Sequence, residues 1–405
     1  MRISNRTTCR LSVVLSGLCC VAFLTGADWR QFRGNDVSGV AQDASVPTSF
    51  SDTENVAWKA DLPGRGLSGP IVVGSRIYVT ASSGFRQDRL HVLCFERKTG
   101  EKIFERQFWA TGRTMCHPKM CVATPTPASD GKRVFAFYSS NDVACLDLDG
   151  NLLWYRGLTH DYPNASNSLG MSSSPIVVND TLIVQVENDA ESFAVGLDVE
   201  TGKSRWKKER PKRANWTSPT VFTDKKSGRS LALLQSSQGV EAVEPKTGKR
   251  VWNFDNGAAT IPSSVVAGDS ILIPSNGLTV LRSDGDNIEQ LWNENQLKIG
   301  TASPLVVGGK VFVVKGGILK AADVLTGSTL WAMRLAGPFS STPIAAGNRL
   351  FFFNEDGKAQ IVDVSGAEGE LVGEGDLGET ILATPAISGK DLFVRSDGHL
   401  WKISE

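Results

Sequence analysis

The densest group of reactive side chains is Cys116-His117-Pro118-Lys119-Met120-Cys121, with Met115 just before it. Two thiols, an imidazole and thioethers so close in sequence could hold a soft metal through sulfur and nitrogen. Cys116 and Cys121 could equally close a short disulfide in an oxidising compartment, or remain plain thiols. Other motifs read as architecture. Gly64-Arg65-Gly66-Leu67-Ser68-Gly69 has the G-x-G-x-x-G form. A dinucleotide site needs a helix after that loop to receive the pyrophosphate, and Pro70-Ile71-Val72-Val73 reads as a strand. Asp147-Leu148-Asp149-Gly150-Asn151 resembles a fragment of a calcium loop but lacks the distal Glu. Asp-Gly between strands is a hairpin turn, and it recurs at Asp284-Gly285, Asp356-Gly357 and Asp397-Gly398. The four histidines, His91, His117, His160 and His399, make no H-E-x-x-H pair, and there is no G-x-S-x-G elbow. A hydrolase finds no support there.

Composition narrows the class further. The net charge is +0, with 43 basic and 43 acidic residues, which excludes a nucleic-acid partner held by bulk electrostatics. Arg2, Arg6 and Arg10, the apolar run Leu11 to Leu24 and the small residues Thr25-Gly26-Ala27 form a signal peptide over residues 1–27. The expected mature protein has no transmembrane span. Neither Cys19 nor Cys20 follows the pattern that lipidation needs, so no lipid anchor is expected. Of 7 cysteines, those beyond this segment are Cys94, Cys116, Cys121 and Cys145, too few for a disulfide framework at this length.

The elements that must position these residues come from a repeat. Gly150 is followed four positions later by Trp154, Gly202 by Trp206, Gly248 by Trp252 and Gly327 by Trp331, while Gly100 has Phe104 at that offset. Each module opens at a proline, Pro70, Pro127 (or Pro125), Pro175, Pro219, Pro262, Pro304, Pro343 and Pro385, in most of them with Ser or Thr just before it. A period of roughly 40 to 57 residues with about four strands in each repeat matches propeller blades rather than helical solenoids. No stretch holds a 3.6-residue period, so helices should be nearly absent. The last module stops after its third strand, and an orphan strand with Trp58 lies at Asn55 to Leu62. Joining the two closes the ring and leaves no sheet edge at the seam. The expectation is an all-β, eight-bladed propeller of four-stranded antiparallel blades over residues 55–405, after a polar lead-in at 28–54. Trp58, Trp154, Trp206, Trp252, Trp292 and Trp331 should dock blade against blade, each burying about 150–250 Å². Val372 stands where the seventh blade's tryptophan should be, so that junction should be looser. Cys94 and Cys145 share a slot with Gly196, Ala242 and Ala321, a position for a small side chain.

The small residue, Asp/Glu, Thr-Gly and Trp pattern resembles the tryptophan-docked repeats of the pyrroloquinoline-quinone-like propeller superfamily. Within it the chain is similar to outer-membrane assembly propellers (BamB-like). It is also similar to secreted propellers that open with Trp-x-Gln-Phe-Arg-Gly, here Trp29-Arg30-Gln31-Phe32-Arg33-Gly34. The quinone enzymes of the superfamily carry a vicinal disulfide and Glu, Asn and Asp calcium ligands. The adjacent cysteines here, Cys19-Cys20, lie in the signal segment, and no residues match the calcium ligands. The resemblance therefore implies a non-catalytic scaffold without a cofactor, with a quinone-dependent dehydrogenase using pyrroloquinoline quinone and calcium as the alternative. A carbohydrate- or peptide-binding sensor is a third reading.

Long connections mark the face where a partner would bind. They cluster on the first three blades, at Phe85 to Arg89, Trp109 to Cys121, Thr159 to Met171, Asn188 to Glu191 and Arg210 to Asn215. Arg65, Arg86, Trp109, Arg113, His117, Lys119, His160, Asp161 and Tyr162 are the expected contacts, rich in the Arg and aromatic residues of interface cores. The partner is expected to be a protein or polymer of the cell envelope, bound in the periplasm or another extracytoplasmic space by a monomer.

Overall fold

The structure is a computed structural model that describes Met1 and residues 28–405; the expected signal peptide, beyond Met1, lies outside the described residues. Eight antiparallel sheets surround one axis, as a propeller requires. Blade 1 runs through Ile71–Val73, Arg76–Ser83, Arg89–Glu96 and Lys102–Trp109. Blades 2 to 7 repeat that order, inner strand first. In blade 8, Ala386–Ser388, Asp391–Arg395 and His399–Ile403 are completed by Val56–Asp61, which pairs antiparallel with His399–Ile403. Head and tail of the ring thus share one sheet, and Trp58 packs 6.1 Å from Phe393. Among the described residues the one helix is Leu158–Asp161.

The Gly–Trp repeat acts across blades. Each docking aromatic lies on the turn glycine of the following blade: Trp58 on Gly100, Phe104 on Gly150, Trp154 on Gly202, Trp206 on Gly248 and Trp292 on Gly327. A Cβ on Gly248 would stand 2.6 Å from the Trp206 indole, and the backbone there has φ +67°, so the position admits glycine alone without strain. The indole N–H donates to the carbonyl three residues before that glycine: Trp58 to Arg97 (3.1 Å), Trp154 to Val199 (3.1 Å), Trp206 to Pro245 (2.8 Å) and Trp292 to Val324 (3.1 Å). The turn is held rigid for this by its own acid. Asp198 accepts from the backbone N–H groups of Glu200 and Thr201, and Asp323 does the same for Leu325 and Thr326. Blade 5 turns instead through Asp284-Gly285-Asp286-Asn287, and the Trp252 N–H that would have met a Thr-Gly turn has no partner.

The small-residue slot has the same origin. Cys94 pairs across the sheet with Phe104, Cys145 with Trp154, Gly196 with Trp206, Ala242 with Trp252 and Ala321 with Trp331. In each, a bulge follows immediately and swings the aromatic toward the next blade. Burial pushes the Cys94 and Cys145 thiols up to about 12, as for inert packing groups.

The lead-in departs from expectation. It is built into the ring. Trp29 pairs with Val72, Ser129 N–H donates to Arg30, Val177 N–H donates to the Gln31 side chain, and Arg33 donates to Ser264. Val40–Ala41 pairs parallel with Ile344–Ala346, and Phe50–Ser51 with Glu370–Asp376, so blade 7 has six strands. The blade 7 junction is consequently filled rather than loose. The tryptophan position of this blade is held by Gly373, paired with Ile361 before the bulge, and not by Val372, the exposed residue that the bulge skips. Thr48 lies on Gly373, and Phe50 is buried against Gly375 and stacks 6.0 Å from Phe353.

Candidate functional site

Where the inner strands begin, the blades form a collar of hydroxyls around the axis. Gly69 N–H donates to Thr126 Oγ1 (2.9 Å), Thr126 to Ser174 (3.0 Å), Ser174 to Ser218 (2.9 Å) and Ser218 to Ser263 (2.9 Å). Ser263 then donates to Ser303 (3.0 Å), Ser303 to Thr342 (3.2 Å) and Thr342 to Thr384 (3.1 Å). Each link is a backbone N–H of one blade clasped by the side chain of the next. The Ser and Thr residues at the blade openings, before the proline in most blades and after Pro262 in the fifth, are therefore an inter-blade lock. The circle breaks once. After Thr384 comes Gly69, which has no hydroxyl, and a Cβ there would lie 2.4 Å from Thr384 O. At this seam the fully buried Arg395 reaches across instead, donating to Ser68 Oγ (2.9 Å) and Thr80 O. Burial pulls its pKa down to about 10, against the opposing pull of Cys121 and Asp397.

The collar surrounds a cavity of about 380 Å³. Phe32, carried by the lead-in, closes the end where Gln31 and Arg33 bond to the inner strands. On the loop side the wall is apolar, through Leu67, Trp216, Ile261 and Leu382, and His117, Lys119, Met120 and Leu169 stand at the mouth. Trp216 is fixed there by an indole N–H bond to Gly170 O (3.0 Å).

The expected contact residues divide. His117 and Lys119 do reach the mouth, and Lys119 pairs with Glu355 of blade 7 at 2.8 Å. Arg65 pins this loop by donating to Pro118 O (2.7 Å) and Met120 O (3.0 Å), and it pairs with Asp397. Arg86 is exposed beside the fully exposed Phe85. Trp109 is 64% exposed under the Arg89 guanidinium, and Arg113 donates to Ser166. His160 is exposed on the short helix, and Asp161 is paired with Arg156. Tyr162 is half-buried, its ring 4.4 Å from Phe193 with Lys207 over it. Cys116 and Cys121 are free thiols, so the bridge is not formed. Cys121 is buried beside Thr124, and burial raises both thiols. No cluster of His, Cys, Asp and Glu that could hold a metal occurs among the described residues.

Ser83, His91 and Glu105 stand in line, at 2.7 Å from Ser83 Oγ to His91 Nε2 and 2.8 Å from His91 Nδ1 to Glu105. His91 is buried, and Glu105 is shared with Lys102 and Gln107. Burial alone would raise the Glu105 pKa, but the bonds from Lys102, His91 and Gln107 hold it at about 2. This is a satisfied core histidine at the edge of blade 1.

The cavity tests the quinone reading. A calcium-held cofactor needs carboxylate and amide oxygens around the dication. The lining supplies hydroxyls, an imidazole and an ammonium, with no Asp, Glu, Asn or Gln. The residues present do not fit that group.

Sequence comparison agrees with the architecture. The chain is 26% identical over 213 residues to the outer membrane protein assembly factor BamB of Legionella pneumophila (strain Paris), a match covering 51% of this chain and 54% of that one. It is also 26% identical over 243 residues to a polyvinylalcohol dehydrogenase of Pseudomonas sp, covering 49% of this chain and 35% of that one. The matches thus span about half of the first relative and about a third of the second. The crystal structure of BamB from Moraxella catarrhalis superposes with a TM-score of 0.63 at 14% identity, over 86% of this chain and 96% of that one, which shows a common fold. The model of the family described as outer membrane protein assembly factor BamB matches residues 35–233, 236–318 and 315–405, and the chain belongs to that family.

Proposed function

We propose that this protein is an exported, non-catalytic propeller that presents its loop face to a protein partner in the cell envelope, in a role in outer-membrane protein assembly. The supporting observation is the mouth loop. It is long enough to form a binding surface, yet it is held at two points, by Arg65 at Pro118 and Met120 and by Lys119 at Glu355 of blade 7. A preorganised loop spends less binding energy on ordering. Beside it lie Phe85, Trp109 and Met115, exposed at 103%, 64% and 53%, with Arg86 and Arg113 among them. Aromatic and Arg side chains of this kind anchor interfaces. Residues 1–27 would direct export, which places the propeller outside the cytoplasm.

Charge reversal at Arg86, Arg113 and Lys119 tests this. The expected result is loss of copurification with the outer-membrane barrel assembly machinery, at an unchanged melting temperature. Retention of every partner by the triple variant would remove the site. A quinone-dependent dehydrogenase is the reading the donor set argues against. Dye reduction on adding pyrroloquinoline quinone with calcium would reverse that judgement.

A further inference from the structure

We propose that the axial cavity binds a monocarboxylate attached to an apolar body, carboxylate first, with the hydroxyl collar as its donor set. Each collar oxygen accepts a backbone N–H from the neighbouring blade, which fixes the hydroxyl in place. No collar hydroxyl donates to a protein acceptor among the described residues, although Ser174, Ser218 and Ser303 are only 3–4% exposed. Their protons are left for whatever occupies the lumen. A ring of O–H donors without fixed acceptors selects an acceptor-only group, and an ionised carboxylate is that group, with about four lone-pair sites. Several donors are needed, because a desolvated carboxylate is costly until it is hydrogen-bonded.

The rest of the cavity specifies the rest of the ligand. Above the collar the wall is Leu67, Trp216, Ile261 and Leu382, which suits an aryl or branched aliphatic body. The one Lys or Arg in the lining is Lys119, at the mouth beside His117, and it is already paired with Glu355. A dianion such as phosphate would sit at the collar with no counter-charge. The volume of about 380 Å³ lies at the small end of ligand sites, which run from about 300 to 1,000 Å³. The chemistry admits two sources, a free carboxylic acid or the C-terminal residue of a polypeptide. This proposal does not depend on a partner docking on the loop face.

Calorimetric titration of the full mature chain separates the cases. The probes are 3-phenylpropionate and its primary amide, and a tetrapeptide ending in leucine as acid and as amide. At least one acid should saturate with a dissociation constant below about 10 mM. Its amide should bind about tenfold more weakly or worse, since hydrogen bonds to an ion are worth more than neutral ones. Saturation by the free acid identifies a small molecule, and saturation by the peptide acid alone identifies a chain terminus. Ile261→Trp fills the lumen from a half-exposed position outside the collar, and should abolish binding without changing the melting temperature. Ser303→Ala should weaken binding about tenfold. Failure of both acids to saturate, equal binding of acid and amide, or full binding by Ile261→Trp would each overturn the proposal.

Discussion

Trp206 and Trp252 occupy equivalent places in adjacent blades, yet only one has its N–H bonded. Trp206 donates to Pro245 O at 2.8 Å, whereas the Trp252 N–H is buried without a partner because blade 5 lacks the Thr-Gly turn. Both rings are over nine-tenths buried, so loss of packing should be similar for the two. Replacement by Phe should therefore separate the hydrogen bond from the ring. Trp206→Phe should cost about 1 kcal/mol more than Trp252→Phe, because it also leaves a buried carbonyl unsatisfied. Urea unfolding of the two variants measures the difference, and equal losses would show that the N–H contributes nothing. The Gly–Trp spacing was plain in the sequence because both residues belong to one module. The direction of docking was not, since each tryptophan meets a glycine from the following module. Tyr162 shows a related limit: an aromatic in a polar loop gives no sign of Phe193, from another strand, packed against it.

At the scale of elements, the lead-in shows where a pattern-based reading stops. Residues 28–54 have no period, because they form no helix and their two strands, Val40–Ala41 and Phe50–Ser51, are only 2 residues long each. They touch several blades one residue at a time. Burial of Trp29, Arg33, Val37 and Phe50 is imposed by the ring they cross, and nothing local to the segment announces it. The collar was hidden in the same way, its members separated by a whole blade each, although Ser or Thr before Pro was visible as a marker. Blade 7 makes the lead-in's contribution measurable. Gly373 and Gly375 leave room for Thr48 and Phe50, where a Cβ would come within 2.0 and 2.2 Å of them. Phe50→Ala should cost about 3–5 kcal/mol, the range for removing a buried Phe ring. Val372→Ala, on the same strand but exposed, should stay within about 0.5 kcal/mol. If both substitutions prove equally mild in denaturant titrations, the lead-in is merely laid on the sheet and does not complete it.

For the whole molecule, closure and plugging are separable contributions to stability. The ring closes through backbone pairing of Val56–Asp61 with His399–Ile403, and its inner circle runs through seven hydroxyl clasps, with Arg395 at the eighth junction. Removing residues 399–405 takes away the strand between Asp391–Arg395 and Val56–Asp61, and with it the central strand of the closing sheet. Trp401, fully buried, goes too. Both ends of the break then expose unpaired edges, so the shortened chain should lose its single cooperative unfolding transition and aggregate. Deleting residues 28–51 instead leaves every four-stranded blade paired. That variant should keep one transition at a lower melting temperature, with the axial cavity open at the end Phe32 had closed. Calorimetry on the two deletions decides the matter. A chain lacking 399–405 that still melts in one sharp transition near the parent temperature would mean that the packing of the docked tryptophans, rather than strand closure, holds the ring.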